Sequence, residues 1–401
     1  MNKPENSTFH YNAVALCAVG AEKVVSNELK KLELSVIDSG FGKVRFRSDL
    51  TGLYKALIGL RAADRVLLET ASFHAADFDA LFAGATAVPW EQFIPKGMGL
   101  KIAKVRTNRS QLKAETSIQA VAHKAAAQRL CTAYDLERLP EKGGADSTQA
   151  AEIRVYLEKD MVSLLLDLSG EPLFKRGYRK EGGIAPLRET SAAAMLLLSS
   201  WKRKYPLYDP FCGSGTILTE AMMYAADIKP GLNRNFALSE LLIADAGIEK
   251  KVRDEFRNKI NFERIIRIAG SDEDTAMAAL AESNLKRAVR VSEHLPETFR
   301  LPEIRVKPMS MARTPFKAVE GNEPHGYIVT NPPYGKRLGD PAASERLYAE
   351  MAILCNNFPK WKLAVITDHP GFESFFGKKA DSCRELKSGS ITAYFFQYEM
   401  L

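Results

Sequence analysis

The sequence predicts an α/β fold: a mostly parallel sheet with helices on both faces, preceded by smaller units of strand and helix. Three observations carry this. From Leu207 onward, short apolar runs alternate with segments of helical period, the pattern of strand-helix-strand units. A Gly- and Pro-punctuated stretch, Ser169–Pro186, separates that region from a first half of different rhythm. The 401 residues, 46% hydrophobic and 26% charged, are too many for one ordinary domain and apolar enough for sizeable cores.

In chain order, Tyr11–Val19 is an apolar run with strand character. Glu22–Leu32 sets Val24, Val25, Leu29 and Leu32 near helical spacing, and Lys43–Phe46 alternates as a half-buried strand. Leu53–Leu68 begins helical and ends extended. Lys96–Ala114 holds six Lys or Arg and no acid, including the alternating Leu100–Val105. Such a run is either a solvated strand face or a set of phosphate contacts. Ser117–Leu130 is Ala-rich and helical, and Ile153–Leu168 reads as a hairpin turning at Lys159-Asp160. The stretch from Ser169 to Pro186 carries Lys175, Arg176, Arg179 and Lys180, a basic linker. A helix is expected over Ser191–Trp201. Strands follow at Leu207–Asp209, Ile265–Asp272, Glu303–Lys307, Tyr327–Asn331 and Leu363–Thr367, then a hairpin of Ser382–Lys387 and Ile391–Glu399. In such sheets ligands bind outside the carboxyl ends of the strands.

Composition narrows the function classes. A net charge of +7 tilts the partner toward a polyanion. Five scattered cysteines without a C-x-x-C pair argue against a disulfide framework or zinc site and for a reducing cytoplasm. The six histidines form no ligand-spaced cluster, so no metal is expected. The polar start leads into no signal-peptide core, and no apolar run approaches the roughly 20 residues that span a bilayer.

Two motifs carry chemistry. In Asp209-Pro-Phe-Cys-Gly-Ser-Gly-Thr216, Gly213 and Gly215 permit a tight turn beneath a ligand, and the helix from Thr216 aims free N–H groups at it. No Lys follows Gly215, as a P-loop requires, and Leu218 stands where a dinucleotide loop has its third glycine. An acid leading into Gly-x-Gly instead fits a cationic, phosphate-free cofactor, S-adenosylmethionine, with Asp209 receiving its ammonium end. Asp272, at the next strand's end, is set to accept from a ribose diol; Asp274 is the better helix cap. Cys212 is expected to be inert within this loop. The second motif is Asn331-Pro-Pro-Tyr334. An aryl amine is a weak nucleophile because its lone pair is delocalised into the ring. Two acceptors on its N–H bonds, the Asn331 side chain and the Pro332 carbonyl, position it and favour a pyramidal nitrogen. Pro333 biases Pro332 toward an extended backbone, and Tyr334 offers a stacking face. The ordered pair of motifs implies methyl transfer to an exocyclic amine.

At these residues the chain resembles the bacterial THUMP-domain RNA methyltransferases, nearest to the 23S ribosomal RNA (guanine-N2) type. The likeness runs through Leu60–Val66, Asp167–Arg179, Ala185–Thr190, Asp209–Thr216, Lys229–Arg234, Gly270–Asp274 and Asn331–Gly335. It implies a ferredoxin-like part at 1–60, a THUMP RNA-binding domain at 61–165, a linker at 166–185 and a Rossmann-like methyltransferase domain at 186–401 whose last strand is antiparallel. It also implies Asn331, Pro332, Pro333 and Tyr334 as the catalytic loop. The cofactor set would be Asp209, Phe211, Cys212, Gly213, Ser214, Gly215, Thr216, Asp272, Glu273 and Ser310. Ser310 is a departure, since the family carries an acid after the third strand. Structured RNA, 23S ribosomal RNA or a large-subunit assembly intermediate, is the implied partner. Lys101, Lys104, Arg106, Arg109, Lys175, Arg176, Arg179 and Lys180 are its expected contacts. Arg176 has a competing role, pairing with a carboxylate to lock two domains together. N6-adenine methylation of DNA or RNA, and an RNA-binding protein with a decayed methyltransferase half, are the alternatives.

Overall fold

A computed structural model describes residues 10–140, 150–179, 187–264, 267–290, 296–297, 299–309, 325–333, 341–389, 391–399 and 401. The first half runs β1 (Tyr11–Cys17), α1 (Glu22–Lys31), β2 (Ser35–Gly40), β3 (Lys43–Ser48), α2 (Leu50–Gly59), β4 (Ala63–His74), α3 (Phe78–Ala87), β5 (Leu100–Asn108), α4 (Glu115–Tyr134), β6 (Ala151–Glu158) and β7 (Met161–Asp167). Its strands form one seven-stranded sheet, β2-β3-β1-β4-β7-β6-β5, antiparallel except for the β5–β6 pair. Strand β4 is twelve residues long and joins the β1–β3 part to the β5–β7 part. The reading that residues 53–68 begin helical and end extended corresponds to α2 followed by β4. The turn expected at Lys159-Asp160 lies between β6 and β7, both residues at positive φ.

The second half runs α5 (Glu189–Leu198), β8 (Leu207–Asp209), α6 (Thr216–Ala225), α7 (Ala246–Asn258), β9 (Ile268–Asp272), α8 (Thr275–Ala288), β10 (Glu303–Val306), β11 (Tyr327–Thr330), α9 (Pro341–Glu350), α10 (Ile353–Asn357), β12 (Lys362–Thr367), α11 (Phe372–Phe376), β13 (Ser382–Ser388) and β14 (Ile391–Tyr398). Its sheet order is β10-β9-β8-β11-β12-β14-β13. The pairs from β10 to β12 are parallel, and β14 runs antiparallel to both β12 and β13. The order steps outward from β8 to β10 and then jumps to β11 on the other side of β8. That reversal opens a crevice at the carboxyl ends of β8 and β11. Asp209 ends the first and Asn331 follows the second.

The two halves share a core. One continuous buried cluster takes in Leu53, Leu57 and Ile58 of α2 together with Leu218, Met222, Leu232 and Phe256. Gly231 donates its N–H to the Ile58 carbonyl at 2.9 Å, and a Cβ there would lie 2.5 Å from Ile58 Cα, so only glycine fits this contact. Arg234 donates to the carbonyls of Ser169, Glu171, Pro172 and Lys175. The Lys229–Arg234 motif is thus an interdomain clasp. Among the described residues no helix is long and apolar enough to cross a membrane.

Sequence patterning passes over β2 and α3. The first is an edge strand with mostly solvent-facing residues, so it lacks alternation to detect. The second is fixed by its cap, Asp77 accepting from the Ala80 N–H at 2.8 Å. Helix α4 extends past the expected Leu130 because Arg129 pairs with Glu91 and the Tyr134 hydroxyl donates to the Ile94 carbonyl at 2.7 Å.

Candidate active site

A cavity of about 710 Å³ opens at the switch point, lined by the β8–α6 loop, the β9 end, Pro308-Met309, Asn331, Pro333 and one face of α9. The two sequence motifs meet in it. Asp209, Phe211, Cys212, Gly213, Ser214, Thr216, Asp272, Glu273, Asn331 and Pro333 all line the cavity. Gly215 lies beneath, where its φ of 74° opens α6 and a Cβ would stand 2.8 Å from Ala281 Cβ. Tyr334, Ser310 and Lys180 lie outside the described residues.

The loop is shaped by hydrogen bonds. Gly213, at φ 51°, donates its N–H to Asp272 Oδ2 at 2.9 Å, while Asp272 Oδ1 accepts from the Asp274 N–H at 3.0 Å. Asp272 therefore ties β9 to the loop at the cavity wall. Asp274 instead caps α8, accepting from Ala276 at 2.8 Å. Asp209 is buried, and its Oδ1 accepts from the Phe211 N–H at 3.1 Å and the Thr330 hydroxyl at 2.6 Å. The second bond fixes the spacing between the two motifs, since Thr330 immediately precedes Asn331. Burial pushes the Asp209 carboxyl up to about 7, against the pull of those two donors. Cys212 is buried and its thiol is pushed well up by burial and by Asp209 and Asp272, which leaves no thiolate for chemistry.

Asn331 is the unusual member. It is 8% exposed, and its Oδ1 is buried without a hydrogen-bond partner among the described residues. An Asn in a turn ordinarily accepts from the N–H two residues on. Here the next two residues are Pro332 and Pro333, which have no N–H, so that usual partner is missing. A buried acceptor with no donor costs about 1–3 kcal/mol unless a ligand supplies one. The cavity is where that donor would enter.

Three supporting residues carry no motif. Asn284 of α8, fully buried, donates Nδ2 to the Ser214 carbonyl at 2.8 Å. Arg287 donates to Asn284 Oδ1 at 2.6 Å and to the Tyr178 carbonyl at 2.5 Å, linking the loop to the interdomain linker. Glu220 of α6, 1% exposed, faces Arg176 at 3.5 Å and accepts from the Tyr178 hydroxyl at 3.1 Å. An Asn within the apolar stripe Ala278, Ala281, Leu285, Ala288 was the one available signal for the first of them.

The basic residues divide. Lys101, Lys104 and Arg106 stand exposed on the edge strand β5. A register shift between Ile102 and Lys104 keeps all three outward while Ile102 and Val105 turn in. Arg109 is exposed just beyond them, and Lys101 pairs with Glu152 at 3.1 Å. Lys175 is exposed beside Glu171. Arg176 is corrected: it is 5% exposed and donates to the carbonyls of Leu173 and Arg61 besides facing Glu220. Its guanidinium is taken up by these partners, the geometry that the competing expectation, pairing with a carboxylate, describes. Arg179 is also largely withdrawn, donating to the Thr216 hydroxyl and to the Leu187 carbonyl and lying 3.6 Å from Glu189.

Comparison with known proteins gives concordant findings. A family model described as the RMKL-like methyltransferase domain matches residues 176–395, and one described as the RlmL ferredoxin-like domain matches residues 12–67. YpsC of Bacillus subtilis (strain 168), named as a candidate RNA methyltransferase, is 33% identical over 97% of this chain and 96% of its own. The ribosomal RNA large subunit methyltransferase K/L of Syntrophotalea carbinolica is 29% identical over 95% of this chain; the chain spans about half (52%) of that relative. Among solved structures, SMU.472, a candidate methyltransferase complexed with SAH, superposes with a TM-score of 0.83 at 33% identity over 98% of both chains. A protein from Listeria monocytogenes str. 4b F2365, described as a predicted N6-adenine-specific DNA methylase, does so at 0.85 and 34% identity over 98% of both chains.

Proposed function

The chain belongs to the RMKL-like methyltransferase family and is S-adenosylmethionine-dependent, and from that premise we propose that it methylates the exocyclic N2 amine of a guanosine in 23S ribosomal RNA. The observation that carries the amine acceptor is the buried, donorless Oδ1 of Asn331 at the cavity wall. The exposed cations Lys101, Lys104, Arg106 and Arg109 support an RNA partner, with phosphate neutralisation as the physical basis. The relatives named for RNA, and for ribosomal RNA of the large subunit, point the same way.

The cavity's donor set suits the cofactor. Two carboxylates, Asp209 and Asp272, stand at adjacent strand ends, and a glycine turn between them keeps side chains out. When bound, S-adenosylmethionine supplies an electrophilic methyl group on a sulfonium. In this reading Asp209 takes its ammonium end, Asp272 with Glu273 its ribose, and Phe211–Thr216 wrap the rest. Asn331 Oδ1 accepts one N–H of the target amine and the Pro332 carbonyl the other, which orients the nitrogen lone pair. Tyr334 stacks on the base. No strong base is required, because the nitrogen, made acidic by methylation, can release its proton to water; positioning contributes most of the rate. Nucleoside mass spectrometry of ribosomal RNA from a deletion strain tests the assignment. Loss of one N2-methylguanosine is expected, whereas loss of N6-methyladenine would overturn it.

Asp209 gives a pH dependence. Its folded value near 7 lies above the ordinary carboxylate value. The folded chain therefore keeps a proton that the unfolded chain has released. This contribution to stability is full below pH ~4 and lost as pH rises through about 7. A cationic cofactor end favours the carboxylate, so binding expels that proton. Affinity for S-adenosylhomocysteine, which keeps the ammonium, should rise with pH to about 7 and then level. Calorimetry in buffers of different ionisation enthalpy measures the released proton, and Asp209→Asn should abolish it. A pH-independent wild-type affinity would remove Asp209 from the ammonium contact.

A further inference from the structure

The tip joining β2 to β3 carries a side chain that the fold does not use. Gly40 pairs with Lys43, so Phe41 and Gly42 make the whole loop, at φ 49° and 76°. Two-residue hairpin turns with both central residues at positive φ favour Asn-Gly, and a bulky residue there is strained. Phe41 is also 90% exposed, the most exposed large apolar side chain among the described residues. Neither the turn nor burial accounts for a ring at this place.

The tip is braced by hydrogen bonds and is joined to the cavity rim by a relay of contacts. Glu22 accepts from the N–H of Gly42 at 2.7 Å and of Gly20 at 2.8 Å, and Cys17 donates to the Gly42 carbonyl at 2.8 Å. A Cβ on Gly42 would lie 3.3 Å from Val19 Cγ2, so Val19 is the tip's neighbour. Val19 exchanges both backbone hydrogen bonds with Lys387 of β13, at 2.9 and 3.0 Å. The next residue, Ser388, accepts from Arg188 at 2.8 Å, and Leu187 lines the cavity. A continuous path thus leads from Phe41 through Val19, Lys387 and Arg188 to the cavity rim. The side chains of Arg188 and Lys387 are 45% and 51% exposed. Glu385, at 2.9 Å from Lys387, forms an exposed pair of the weak kind that a phosphate can displace, whereas Asp64, 3.8 Å from Arg188, is half-buried and also accepts from Thr190.

Resting on the RNA reading above, we propose that Phe41 is a stacking platform for an unpaired base of the RNA substrate, outside the nucleotide held at Asn331. A lone exposed ring, with exposed cations along the relay between it and the cavity rim, fits a base and the phosphates that follow it, since every base offers a π-face. A protein partner would need about 800 Å² of surface on each side. The apolar surface here is one ring, with the partly exposed Val19 and Ile37 on the neighbouring loop and hairpin.

The test uses the full chain, with protein-free 23S ribosomal RNA from a deletion strain as probe. Phe41→Asn gives the turn the residue it prefers, so the melting temperature should hold or rise. RNA affinity should nonetheless fall about 5- to 100-fold, the range for losing one stacked base. Phe41→Trp should bind within about threefold of wild type, because it keeps a ring. Phe41→Leu should behave like the Asn variant, and affinity for S-adenosylhomocysteine should be unchanged in all three. Wild-type RNA binding by Phe41→Asn, or retention by Phe41→Leu, overturns the platform while leaving the substrate reading intact. A wild-type chain that neither binds nor methylates this RNA overturns the substrate reading and the platform with it.

Discussion

Replacing Asn331 by Ala is expected to slow methyl transfer by about 10²–10³-fold, the scale of deleting one transition-state hydrogen bond. The reason is the oxygen's isolation. Among the described residues Asn331 Oδ1 has no hydrogen-bond partner, and neither proline after it carries an N–H. Its removal therefore takes away no folded-state hydrogen bond of that oxygen. The variant should melt at or slightly above the wild-type temperature, since a buried unsatisfied acceptor is gone. Affinity for S-adenosylhomocysteine should stay nearly constant, because Asp209 and Asp272 hold the cofactor side. Single-turnover kinetics with saturating RNA, together with calorimetry, separate these effects. A large drop in cofactor affinity with an intact rate would show that Asn331 belongs to the cofactor wall instead.

Arg176→Ala is expected to destabilise the chain by about 3–5 kcal/mol, the scale of leaving one member of a buried ion pair alone. Glu220 would lose its ion-pair partner within a site where both side chains are almost fully withdrawn from water, 2% and 0% exposed, and would keep only the more distant field of Arg61. The Arg61 and Leu173 carbonyls would lose a donor as well. Replacing both partners, Arg176→Met with Glu220→Leu, should recover most of the loss, because similar apolar volume removes the unpaired charge. Thermal and urea unfolding measure this without RNA. Wild-type stability in Arg176→Ala, combined with weaker RNA binding, would return Arg176 to the RNA surface. The same packing bears on truncation. A chain starting near Gly182 would strip α2 from Phe256 and Gly231 and expose a shared core, so it cannot isolate RNA binding from folding.

Much of the site was legible because its chemistry needs particular residue types next to one another. A glycine turn after an acid, and an Asn followed by two prolines, are backbone statements. Gly213 and Gly215 adopt positive φ wherever the loop sits, and Pro332 and Pro333 lack N–H groups in any fold. The parallel sheet was legible for a similar reason: strands buried on both faces read as short continuous apolar runs, such as Tyr327–Thr330. The edge strand β2 left no such trace.

The sequence by itself determined the α/β order, the acid at the end of β8, the glycine loop and the acceptor loop. Only the tertiary structure decided which charges were free. Arg176 and Lys175 are neighbours of the same type in a linker that looks uniformly basic. Yet one meets Glu220, 44 residues away, inside the domain interface, and the other stands in water. Thr330 reaches Asp209 across 121 residues and Asn284 reaches Ser214 across 70, so neither support could be read from spacing. Local patterns report what the backbone must do. A side chain's partner is set by which elements the packed core brings together, and that follows from the whole chain's burial rather than from any one segment.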